Sequence, residues 1–188
     1  MILDAVVTED AAKFYAQFFG GVLAAPGTPT NTATPVWDPR WKYIRWGEGG
    51  WIDRGSGAVP RDPSPSLRRL TSPLIQDLDA VVDGTRTGPD QRYPAADGRA
   101  VFQKAITYLT DVVFEAPSTV RVRALLDYGE FNADALGNPP EVWELGIFSD
   151  HPTISGQLLM VAYATMPGTA KTAGVQIERF LRLRFGRA

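Results

Sequence analysis

Val120-Arg121-Val122-Arg123-Ala124-Leu125-Leu126-Asp127-Tyr128 is the stretch on which the fold turns. Val120, Val122, Ala124, Leu126 and Tyr128 recur at every second position against Arg121, Arg123 and Asp127. A period of two puts one set on a core and the other in water, the mark of a half-buried strand. Leu125 breaks the polar side. The end of the chain repeats the pattern, with Val175, Ile177, Leu181, Leu183 and Phe185 on one face and Arg182 and Arg184 on the other. Trp143 to Phe148 follows the turn Gly137-Asn138-Pro139-Pro140, and Gln157 to Thr165 follows His151-Pro152, so both read as strands. From Ala100 onward, strand-like runs between turn residues predict a mainly β fold, an antiparallel β-sandwich or barrel-like domain.

Upstream the texture differs. Thr8 is a natural N-cap for a short helix with Ala11, Phe14, Tyr15, Phe18 and Val22 at helical spacing, and Gly20-Gly21 loosens or ends it. Its aromatic stripe packs either on the chain's own core or on a neighbouring subunit. Pro26, Pro29, Pro35 and Pro39 then suit an extended linker. Trp41 to Trp46 is rich in β-formers and runs into Gly47-Glu48-Gly49-Gly50, a strand entering a tight turn. Residues 1–40 are therefore expected as an N-terminal helix and Pro-rich linker, and 41–188 as a β-rich domain. Within that domain, 53–97 is a long Pro/Gly-rich loop or arm whose small apolar content suits ordering against a partner.

Composition narrows the function. Net charge is −2 with both signs interspersed, which disfavours direct nucleic-acid binding. The absence of cysteine removes disulfides, thiol nucleophiles and thiolate-bound zinc together. The N-terminus lacks the basic and apolar regions of a signal peptide, and no segment is long and apolar enough to span a bilayer, so cytoplasmic synthesis without membrane insertion is expected.

Catalytic chemistry finds little footing. Gly47-Glu48-Gly49-Gly50 lacks the Lys-Ser/Thr and the helix of a phosphate-binding loop, and reads instead as a turn needing positive φ. His151 is the only histidine, and no nucleophile elbow accompanies it. Glu141, Glu144, Asp150 and His151 match no metal-ligand spacing. Glu48, Asp127, Glu130 and Glu144 offer carboxylate pairs of the kind that glycoside hydrolysis uses, as any acidic chain of this size does. No catalytic residue, metal or cofactor is expected. Trp37, Trp41, Trp46 and Trp51 either seal a core or interface or form stacking platforms for sugars, which keeps a carbohydrate-binding β-sandwich as the alternative function.

Val142-Trp143-Glu144-Leu145-Gly146-Ile147-Phe148-Ser149-Asp150, followed by Gly156-Gln157-Leu158-Leu159-Met160-Val161-Ala162-Tyr163-Ala164, resembles a pattern of bacteriophage tail-fibre adaptor and tail-collar proteins. That pattern is a strand reading Glu, Ile or Leu, Gly, Ile or Leu, Phe, then a turn, and a strand ending Ala-Tyr-Ala; the likeness covers about residues 100–188. It implies a non-enzymatic structural subunit in the virion tail or baseplate, or in a related contractile injection system. Such a subunit would join the tail body to fibres or neighbouring baseplate proteins, as a homo-oligomer for which a trimer is one form. Phe14, Phe18, Trp46, Trp51, Trp143, Phe148 and Tyr163 are the candidate interface residues.

Overall fold

The alternating stretches form one sheet and the denser apolar runs another. The computed structural model describes residues 1–19, 38–65, 91–94, 100–116, 118–133, 138–152 and 158–184. The alternation of Val120 to Leu126 becomes strand β9 (Thr119–Leu126), whose burial switches at every residue. It pairs antiparallel with β12 (Ile177–Arg184), Val122 opposite Leu181 and Arg121 opposite Arg182. Two further strands flank this pair: β8 (Val112–Ala116) beside β9, and β1 (Ile2–Asp4) beside β12, giving the order β1-β12-β9-β8.

The second sheet has six strands. At its centre lie β10 (Glu141–Asp150) and β3 (Tyr43–Gly47), and on the other side of β10 runs β11 (Leu158–Ala170). Beyond β3 come β7 (Ala100–Ala105) and then β6 (Gln91–Pro94), while β2 (Val6–Val7) edges β11. Register puts Ile44, Trp46, Phe102, Leu145, Ile147 and Ala164 on the face towards the first sheet. There they share one core with Val120, Val122, Leu126, Leu181 and Leu183. Along β10 both faces are covered, for every residue from Val142 to Ser149 is buried, and this is why its sequence shows no clean alternation. The mainly β, two-sheet expectation holds, and the sheets do not close into a barrel.

Three details go beyond these expectations. Not every strand pair is antiparallel: β1 runs parallel to β12, with Leu3 beside Leu181. Residues 1–40 are not simply a helix and a linker, because the first seven residues supply a strand to each sheet. Residues 53–97 are not wholly a loop. Trp51–Asp53 (β4) and Ala58–Pro60 (β5) form a hairpin, and β6 joins the larger sheet. The expected linker lies mostly outside the described residues, as does the stretch from 66 to 90.

Helix α1 (Glu9–Phe19) begins as its sequence predicts. The Ala11 N–H donates to Thr8 Oγ1 at 3.2 Å, and the same hydroxyl donates to the Met160 carbonyl, stitching the cap to β11. Ala11 is fully buried, and Phe14 and Tyr15 pack against the core. The Tyr15 hydroxyl donates to the Pro39 carbonyl at 2.9 Å and accepts from Trp41 Nε1 at 2.8 Å. Burial, opposed by the Trp41 hydrogen bond, pushes its pKa from 10.0 up to about 12.

A folded-state pKa raised above the unfolded one means that the neutral phenol stabilises the fold fully below pH 10. That contribution is lost as the pH rises from 10 towards 12, an effect on the order of 2 kcal/mol. Tyrosinate absorbance and far-ultraviolet dichroism followed together should show a late-ionising tyrosine whose titration weakens the fold. Burial also raises Tyr108, so Tyr15→Phe should take one tyrosine out of the late step and leave a smaller one. Ionisation of all tyrosines near pH 10 in the parent protein would refute this assignment.

Candidate interaction surface

Every sequence-derived site residue but Phe18 has a definite place. Trp46 and Tyr163 are fully buried, Phe148 and Trp143 nearly so, all within the chain's own fold. Trp46 belongs to the core between the sheets, whereas Phe148, Met160 and Tyr163 form a small cluster on the far face of the larger sheet. Trp51 is half-buried, its ring centroid 6.1 Å from that of Trp143. Phe14 meets the His151 ring edge-on at 5.3 Å, so the helix stripe packs on its own domain. Burial lowers the His151 pKa, against a smaller opposing pull from Asp10. The side chain of Phe18 lies outside the described residues.

The residues of the Glu-Leu-Gly-Ile-Phe and Ala-Tyr-Ala segments are cross-strand partners. Leu145 faces Ala164, Gly146 faces Tyr163 and Ile147 faces Ala162. Tyr163 donates its hydroxyl to Glu144 Oε2 at 2.7 Å, with both side chains buried. Gly50, at φ +83°, lies directly over this pair, so the glycine-rich turn does require positive φ there and is a packing element. Nearby on the same face, Arg45 donates to Gln103 Oε1 at 2.8 Å and sits 4.8 Å from the Phe148 ring centroid.

The carboxylates do not gather into one site. Glu130 pairs with Lys104 at 2.8 Å, and Asp127 accepts from Tyr128 N and Gln176 within the same loop region, whereas Glu144 is on the opposite face of the sheet. Glu141 and Asp150 end a single ten-residue strand, about 30 Å apart at the usual rise per residue. Among the described residues no group of three or more His, Asp or Glu side chains could hold a metal ion, and no helix is long and apolar enough to cross a membrane.

No family model, curated protein or solved structure matches the chain. The remaining guide is its surface, where among the described residues one region gathers four of the exposed large apolar side chains. Helix α2 (Tyr108–Asp111) and the margin strand β8 expose Leu109 at 98%, Phe114 at 80%, Val113 at 44% and Tyr108 at 42%. Register gives the anomaly its meaning: Phe114 lies opposite the buried Val120 and Val112 opposite the buried Val122. Phe114 therefore belongs to the core-facing side of a sheet and continues that apolar face beyond its covered part. Exposed aromatic surface contiguous with a core is the usual signature of association.

Beside this margin the outer face of the smaller sheet is charged. Arg121 and Arg182, direct cross-strand neighbours, both turn to Glu115, at 3.3 and 3.0 Å. Arg123 pairs with Glu178 at 2.7 Å, and the Arg121 guanidinium also lies 5.0 Å from the Phe180 ring centroid. One glutamate thus relieves the repulsion of two facing arginines. Sequence reading did not single out Leu109, Val113 or Phe114. Their only signal is an apolar run with no polar alternation, which reads equally well as buried strand.

Proposed function

We propose that this chain is a non-enzymatic structural subunit of a phage-type tail, baseplate or related injection machine, linking the tail body to fibres or neighbouring baseplate proteins. The observation that carries the reading is the apolar margin at Leu109, Val113 and Phe114, which offers association chemistry. Elsewhere the residues with catalytic potential serve packing: Glu144 is held by Tyr163 beneath Gly50, and Glu130 by Lys104. The likeness of Glu144 to Phe148 and Ala162 to Ala164 to tail-adaptor strands gives the reading its class. The sugar-binding alternative has less to stand on, since a stacking platform needs an open ring face and Trp46 is wholly buried.

The test is affinity isolation of the tagged chain from its native source, with mass spectrometry of what accompanies it. Tail tube, sheath or baseplate proteins are expected in stoichiometric amounts. Recovery of the chain alone, as a stable monomer, would overturn the proposal.

A further inference from the structure

We propose that Lys171 and Asn132 join in an intramolecular amide bond, formed by attack of Lys171 Nζ on Asn132 Cγ with loss of ammonia, which staples the two sheets together. The bond is independent of the assembly reading. Asn132 follows β9 of the smaller sheet by one short turn, and Lys171 directly follows β11 of the larger sheet. A bond between them encloses residues 132 to 171 and ties one sheet to the other. In a chain without cysteine, no disulfide can do this.

The pair is set for reaction. Lys171 has no exposed surface, and its Nζ donates to Asn132 Oδ1 at 2.7 Å and to the Thr172 carbonyl at 3.0 Å. A carbonyl bond is about 1.2 Å long, so Nζ lies within about 4 Å of Asn132 Cγ. That is close to the roughly 3–3.5 Å at which a nucleophile attacks. The carboxamide is held at its other end as well, for Asn132 Nδ2 donates to the Tyr128 carbonyl at 2.7 Å, on the exposed side where ammonia can leave. The backbone is fixed on both sides of the contact. The Lys171 N–H donates to the Pro140 carbonyl at 2.8 Å. Phe131, next to Asn132, is the one non-glycine residue at positive φ among the described residues, and its buried ring stacks on Phe102. Backbone strain of this kind persists where packing holds it and aims a neighbouring side chain.

Charge sets the direction. Both acceptors of the Lys171 ammonium are neutral, and a buried ammonium with no carboxylate in hydrogen-bond contact is unfavourable. Burial pushes the Lys171 pKa down, against opposing pulls from Glu130 and then Asp127, and so favours the neutral amine that is the nucleophile. Glu130, two residues before Asn132, is held by Lys104 at 2.8 Å and by the Asp127 N–H at 2.8 Å. It is the acid whose charge weighs most on Lys171, and it serves as the proton carrier. Glu130 takes a proton from Nζ, Nζ adds to Cγ, and the Cγ–Nδ2 bond breaks as the proton is passed to Nδ2. Both protons that Nζ gives up end on the departing nitrogen, so an ammonium and a primary amide become a secondary amide and an ammonium ion. No oxidant or cofactor is consumed, and a buried charge is exchanged for a neutral group.

The experiment is intact-mass spectrometry of the purified full chain, followed by peptide mapping. The parent should weigh less than its sequence by one ammonia, and a branched peptide joining Asn132 to Lys171 should replace the two linear ones. Lys171→Arg should restore the full sequence mass, which separates this bond from ammonia loss by cyclisation of an asparagine on its own backbone. Glu130→Gln, which keeps the size of the side chain, should leave the bond unformed. A parent chain at full sequence mass, with Lys171 and Asn132 in separate peptides, would overturn the inference, as would a loss of ammonia that survives Lys171→Arg. A bond that still forms in Glu130→Gln would overturn Glu130 as the proton carrier. Whatever that substitution does to folding, the mass and the peptide map of the parent decide the bond.

Discussion

Gly50→Ala should lower the stability of this protein by about 3 kcal/mol, the combined effect of a positive φ and a steric overlap. At φ +83° a side chain already strains the backbone. A Cβ there would also stand 2.7 Å from Glu144 Cβ and 3.0 Å from the Tyr163 hydroxyl. The first is the more serious contact, because a Cβ is fixed to its backbone and cannot swing aside as the end of a flexible side chain can. Relief requires the turn to lift from β10, which would disturb the buried Tyr163–Glu144 hydrogen bond beneath it. Gly55 is the internal control: its φ is +79°, yet nothing lies within 4 Å of a Cβ added there. Gly55→Ala should therefore show only the backbone cost, about 1 kcal/mol. For a chain of this size the two variants should melt roughly 6–12 °C and 2–4 °C below the parent. Equal shifts would mean that the turn does not bear on Glu144 and Tyr163.

That pair of glycines also marks how far sequence reaches. The glycine-rich turn is legible as one needing positive φ, because its neighbours rule out a phosphate loop. What it lies upon is not legible, since Glu144 and Tyr163 come from strands distant in the chain and only register brings them beneath it. Strands β9 and β12 are plain in the sequence because one face of their sheet meets water, so polarity alternates. Strand β10 is recognisable only by composition, because the hairpin side and the core side are both covered. Strands β1 and β2, three and two residues long, are too short to carry any period. Their place is set by pairing with β12 and β11, the parallel contact joining the two ends of the chain. The margin at Phe114 was hidden for a related reason. Only register with β9 puts Phe114 on the core side, and no local pattern records that its ring is left uncovered.

Trp46→Ala should have a still larger effect, about 3–5 kcal/mol, as expected when a large aromatic side chain is removed from a packed core. Trp46 has no exposed surface and lies between Leu145 on β10 and Phe102 on β7, at the centre of the larger sheet's inner face. Nothing nearby is positioned to collapse into the space, because strands on both sides hold its neighbours in register. Among the described residues its indole N–H finds no hydrogen-bond acceptor, so Trp46→Phe, which keeps much of the volume and deletes that donor, should cost less than about 1.5 kcal/mol. Trp51, half-buried against Trp143, should respond in the opposite proportion: a smaller loss of stability for Trp51→Ala, with the hairpin of β4 and β5 loosened first. The three variants, compared by urea unfolding and by binding to a glycan array, separate a core role from a sugar platform. A core Trp46 gives a graded loss of stability that follows the volume removed. A platform would give a folded Trp46→Ala protein of near-parental stability that had lost a saturable glycan signal, and that outcome would move the function away from assembly.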